Sequence, residues 1–126
     1  MRLLLGVYLT FMAIMFMRCS EVSEVDELAK QTERIQIVFT DDLLNYTDIT
    51  DKKEIKRIAN FITDEETPFY KCGYDGYMIF FTESGSVRMN FNIQEDCAHV
   101  VYDYAMTIKT FRISEDGIAY LTHLKE

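Results

Sequence analysis

The chain has 126 residues, with 13 Lys plus Arg against 21 Asp plus Glu and a formal net charge of −8. Its length allows one domain, and 48% hydrophobic with 27% charged residues suits a folded globular chain, not a disordered one. The acid excess leaves no basic surface for coating phosphates, so no nucleic-acid partner is expected. No apolar block of about 20 residues is present to span a bilayer.

The N-terminus reads as an address. Arg2 gives a positive start, and the uncharged run from Leu3 to Met17 follows. As a helix that run would rise about 22 Å, short of about 30 Å of hydrocarbon and suited to the apolar region of a signal peptide. Phe16-Met17-Arg18-Cys19-Ser20 then leads into a polar stretch. Residues 1–20 resemble a bacterial lipoprotein signal of the Bacteroidetes type. Phe16 and Arg18 stand where that family usually has an aliphatic and a small residue. The resemblance implies cleavage after residue 18, a lipid on Cys19, and a membrane partner through that lipid. It also implies a place at the cell envelope with the domain outside the cytoplasm. Two other readings are an uncleaved N-terminal anchor closed by Arg18 and a cleaved, lipid-free secreted protein. With Cys19 acylated, Cys72 and Cys97 remain as an even pair. Outside the cytoplasm such a pair is expected to form a disulfide. It would close a loop of about 26 residues, worth roughly 3 kcal/mol.

Residues 19–33 are polar and acidic and read as a lipid-anchored tether, with only a thin helical stripe at Val22, Val25 and Leu28. A flexible stretch of that length would span roughly 20 Å. Residues 34–126 read as a single α+β domain. Arg34 to Thr40 alternates, with Ile35, Ile37 and Phe39 on one side, and predicts a strand. Residues 41–50 predict a loop with Leu43 and Leu44 tucked in. Residues 51–63 predict an amphipathic helix through Ile55, Ile58, Ala59 and Ile62, ended before Pro68.

Tyr77 to Thr82 and Val87 to Ile93 predict a hairpin. Val87, Met89, Phe91 and Ile93 should face the core, and Arg88, Asn90 and Asn92 water. Cys72 and Cys97 flank the open end of this hairpin, where a bridge can form if their Cα atoms lie within about 7 Å. Residues 98–104 and 106–113 supply one or two more strands. Ser114 caps a short closing helix with Ile118, Leu121 and Leu124 inward. The order β-α-β-β-β(-β)-α argues for an antiparallel sheet of four to five strands with one amphipathic helix and a short C-terminal helix.

The densest chemistry lies at Tyr70 to Tyr77 with Asp96, Cys97 and His99. Cys72, Cys97 and His99, with Asp75 or Asp96, could ligate zinc, although no Cys-x-x-Cys is present. A cysteine nucleophile with His99 as base lacks an orienting third residue. The structural reading has a Cys72–Cys97 disulfide, an Asp75-Gly76 turn and a solvent-facing His99. It is preferred, so no catalytic residue, metal or cofactor is assigned. The acids Asp41, Asp42, Asp48 and Asp51 lack the glycine and spacing of a calcium loop. Among the tyrosines, Tyr70, Tyr74 and Tyr77 with Asp75 form the expected surface for a cationic protein or peptide partner. The expectation is a binding or accessory module. The alternative is an envelope hydrolase or metal-dependent enzyme using Cys72, Asp75, Cys97 and His99.

Overall fold

A computed structural model describes residues 23–126. The proposed signal peptide, Cys19 and Val22 lie outside the described residues. Ser23 opens the first helix, α1 (Glu24–Gln31): its hydroxyl accepts the Asp26 N–H at 3.1 Å, and Glu24, Asp26 and Glu27 sit against the positive helix end. Val25 and Leu28 are buried, and the chain passes from Gln31 straight into the first strand. Most of the stretch read as a tether is therefore a helix packed on the domain. Val25 and Leu28 join the core, and Ala29 packs against it.

The strands are β1 (Thr32–Phe39), β2 (Thr47–Ile49), β3 (Ile62–Glu66), β4 (Gly76–Thr82), β5 (Gly85–Asn92), β6 (His99–Tyr104) and β7 (Thr107–Ile113). The other helices are α2 (Lys52–Asn60) and α3 (Glu115–Lys125), with one 3-10 turn at Glu95–Cys97. All strands pair antiparallel in one sheet of order β2-β1-β4-β5-β6-β7-β3. The α+β class with an antiparallel sheet is as expected, but the sheet has seven strands, not four to five. The two extra ones are its edges. β2 lies in the expected loop, where Ile49 stands opposite Ile35. β3 takes the expected end of the helix. α2 stops at Asn60, Phe61 caps it, and Ile62 pairs with Ile113. Ile62 fits both a helical stripe and the first position of a strand, and the free edge of β7 decides the matter.

Register aligns the core in rows across the sheet. Phe39, Gly76, Phe91, Val100 and Phe111 form one row, and Ile37, Met78, Met89, Tyr102 and Lys109 the next. The three described helices cover this face. α2 buries Ile55, Ile58 and Ala59, and α3 buries Leu121 and sets Gly117 against Ile113 and Phe61. Gly76 is needed for closeness: a Cβ there would strike the Val38 carbonyl and the Phe91 ring. Arg34, Tyr77, Phe81 and Arg88 lie on the opposite face. Arg34 sits over Phe81 at 4.2 Å, and Arg88 over Tyr77 at 3.8 Å. Among the described residues no helix covers that face, and the β3–β4 connection crosses it.

If α1 belongs to the domain, Leu28→Ala will lower the unfolding free energy in a urea melt by about 2–5 kcal/mol. A residue in a free tether would leave the midpoint unchanged.

Candidate functional site: the crossing connection and its aromatic end

The connection, residues 67–75, starts beside β7. The Thr67 N–H donates to the Thr110 carbonyl at 3.2 Å, and the Thr110 hydroxyl donates to the Thr67 carbonyl at 2.6 Å. Tyr70 then lays its ring edge-on to His99, with centroids 5.1 Å apart. Cys72 is bonded to Cys97 with a Cα separation of 6.4 Å, so the expected disulfide is present at the open end of the hairpin. Gly73 follows with φ +74, a left-handed conformation that suits glycine.

Asn92, at the end of β5, is fully buried under this chain. Its amide donates to the Gly73 carbonyl at 2.9 Å and the Cys72 carbonyl at 3.4 Å, while its oxygen accepts the Gln94 N–H at 2.8 Å. Asp75 is equally engaged. Its carboxylate accepts the Ile93 N–H at 2.7 Å, and its backbone bonds Phe91 and Thr40.

His99 is fully buried as well, not solvent-facing. Its Nδ1 lies 2.5 Å from the Cys97 carbonyl, an acceptor, so Nδ1 carries the proton and donates. Among the described residues, Nε2 has no partner, nor does the Thr67 hydroxyl. Asn92 and His99, both expected to face water, do lie on the face away from the helices, yet both are buried. They are covered because the connection lies over that face, and nothing in their own strands signals this.

The structure thus brings Cys72, Asp75, Cys97 and His99 together, in holding roles. Both sulfurs are joined, the carboxylate is committed to a backbone N–H, and the imidazole is enclosed. Among the described residues, no three or more His, Cys, Asp or Glu gather so as to hold a metal ion. None of the described helices is long and apolar enough to cross a membrane.

Of the expected partner surface, Tyr74 alone stands exposed, at 43%. Tyr70 packs on His99, Tyr77 lies under Arg88, and Asp75 is half-buried. The missed contributors are Leu43, Leu44 and Tyr46. Leu43 and Leu44 were expected to be tucked in, yet both are exposed, Leu44 at 93%. Their loop follows β1, and Thr40 ties it to Tyr74 and Asp75: the Thr40 N–H donates to the Asp75 carbonyl at 2.9 Å, and its hydroxyl donates to the Tyr74 backbone carbonyl at 3.4 Å. Exposed Asp41, Asp42, Glu95 and Asp96 occupy the same end of the sheet. The available signal was an apolar pair set among Asp and Asn with no periodicity to bury it.

Two other tyrosines are perturbed, both away from this end. Burial pushes the Tyr102 phenol from 10.0 up to about 12, with Glu24 and Tyr104 adding to the shift, and its hydroxyl has no partner among the described residues. Burial also raises Tyr120, Glu54 adds, and Arg57 opposes. In comparisons with known proteins, no family model, no curated protein and no solved structure matches the chain.

Replacing both bridged cysteines, Cys72→Ala with Cys97→Ala, will cost about 3 kcal/mol in urea unfolding and open residues 67–75 to proteolysis. Between pH 10 and 12 the unfolded chain has lost the Tyr102 proton while the folded chain retains it, so stability falls as pH rises. Tyr102→Phe removes this contribution, and its alkaline melting curve will fall less steeply over that range.

Proposed function

We propose that the chain is a lipid-anchored, disulfide-stapled binding module of the bacterial cell envelope that engages a cationic protein or peptide. The likeness of residues 1–20 to a lipoprotein signal supports anchoring through Cys19. The Cys72–Cys97 bridge supports an oxidising compartment, because such bonds persist outside the cytoplasm. The observation that carries the binding reading is the end of the sheet formed by Leu43, Leu44, Tyr46 and Tyr74. Four large apolar or aromatic side chains stand in water there. Covering such a side chain fully is worth about 1.5–3 kcal/mol, and apolar surface rimmed by polar groups is the usual form of an interaction site.

The rim of Asp42, Glu95 and Asp96, with Asp41 paired to Lys125 at 3.5 Å, selects the sign of the partner. A basic partner is drawn in by charge, and a like-charged one is repelled. The enzymatic alternative has less support, since it needs a free thiolate or an accessible imidazole from residues engaged elsewhere.

A photo-crosslinking residue at Leu44, introduced in living cells, will capture a discrete basic protein. With the crosslinker moved to Tyr46, the pair Leu43→Ser and Leu44→Ser will cut the yield about tenfold. High salt will reduce it as well. The same adduct from a crosslinker at Glu83, at the opposite end of the sheet, would show that this surface has no special role. So would the absence of any adduct at low salt.

A further inference from the structure

We infer that the β6–β7 hairpin end of the domain sits against the bilayer, with Met106 as its point of contact. The inference rests on the anchoring proposed above and specifies which surface the anchor brings to the lipid.

The first observation is the length of chain between the lipid-bearing residue and the domain. α1 begins at Glu24, with Ser23 as its cap. Covalent geometry limits the reach from Cys19 to Ser23 to about 14 Å, even fully extended. The anchor cannot hold the domain clear of the headgroups, and whatever surrounds the start of α1 lies at the membrane.

The second observation is what surrounds it. Glu24 meets Lys109 of β7 at 3.9 Å. Lys109 is two residues up the strand from Thr107, the residue that opens β7, so the hairpin turn is about 7 Å farther along the strand. At that turn Ala105 and Met106 both have positive φ, 52 and 65. This backbone is usually left to Gly or Asn, and here it holds Met106 97% exposed. Ile108 beside it is 59% exposed.

The third is residue type. From Tyr104 to Lys109 the sequence is YAMTIK, with a tyrosine, a lysine, two exposed apolar side chains and no acid. Aromatic and basic residues flanking apolar ones are favoured where water meets lipid. The acids nearest this patch, Asp103 opposite Ile108 and Glu24 paired with Lys109, lie at its margin. Exposed Leu43 and Leu44 lie beyond the opposite ends of the strands, toward the other side of the sheet, so the anchor leaves them facing outward.

The test uses the full acylated chain in vesicles of phosphatidylethanolamine and phosphatidylglycerol, some lipids carrying a nitroxide. An environment-sensitive fluorophore is placed on Met106→Cys, on Ile108→Cys, or on Leu44→Cys as the distant control. Labels at 106 and 108 are expected to be quenched severalfold more than the label at 44. Equal quenching of all three in protein that is acylated by mass spectrometry and floats with the vesicles would overturn this orientation while leaving the anchoring intact. Quenching that appears only at high protein-to-lipid ratio would identify a second copy of the chain as the occupant and overturn it as well. A chain that is unacylated and fails to float would remove the anchoring and this inference together.

Discussion

β3 lies at one edge of the sheet and β4 in its middle, so the chain between them has to cross β7, β6 and β5. Three helices already occupy one face, and the crossing takes the other. Residues 67–75 have no ladder of their own, so their polar backbone groups must find partners elsewhere. Thr110 answers Thr67, Asn92 answers Cys72 and Gly73, and the Asp75 backbone is bonded to Phe91 and Thr40. The disulfide fixes the middle of the crossing to the β5–β6 turn. The burial of His99, the placing of Tyr74 and the attachment of the 40–46 loop all follow from this path.

Where one face of a strand is buried and the other is not, the sequence shows it. Ile35, Ile37 and Phe39 in β1 and Met89 and Phe91 in β5 were legible because a slip of one residue would turn each set out of the core. Ile55, Ile58 and Ala59 marked α2 for the equivalent reason. The two cysteines were legible because they flank a hairpin whose arms were already clear.

The rest was set by partners distant in sequence. Asp64, Glu65 and Glu66 look like loop because edge strands carry charge, and only the unpaired side of β7 makes a strand of them. α1 was read as tether because two apolar residues are weak periodicity on their own. Asn92 and His99 were assigned to water because the chain that covers them arrives from the far edge of the sheet. Leu43 and Leu44 were placed inside on hydrophobicity alone, although no helix or strand period pointed them inward.

Two exposed apolar groups stand at opposite corners of the sheet, one beyond the end of β1 and the other at the β6–β7 turn, and Phe69 is exposed on the crossing connection. A rigid sheet between them separates two contacts that a flexible chain would confuse. Under the proposed anchoring, with the turn at the lipid, the acid-rimmed corner is presented to the surroundings.

If the chain is confined to a membrane surface as proposed, the edges of its sheet have a consequence. Tethering to two dimensions raises the frequency of collisions, and an open strand edge would then invite copies to zip into filaments. β2 offers a newcomer only Thr47, Asp48 and Ile49, and β3 is irregular in register and lined with Asp64, Glu65 and Glu66. Neither edge is a template for an added strand, so copies can crowd side by side without polymerising through their sheets.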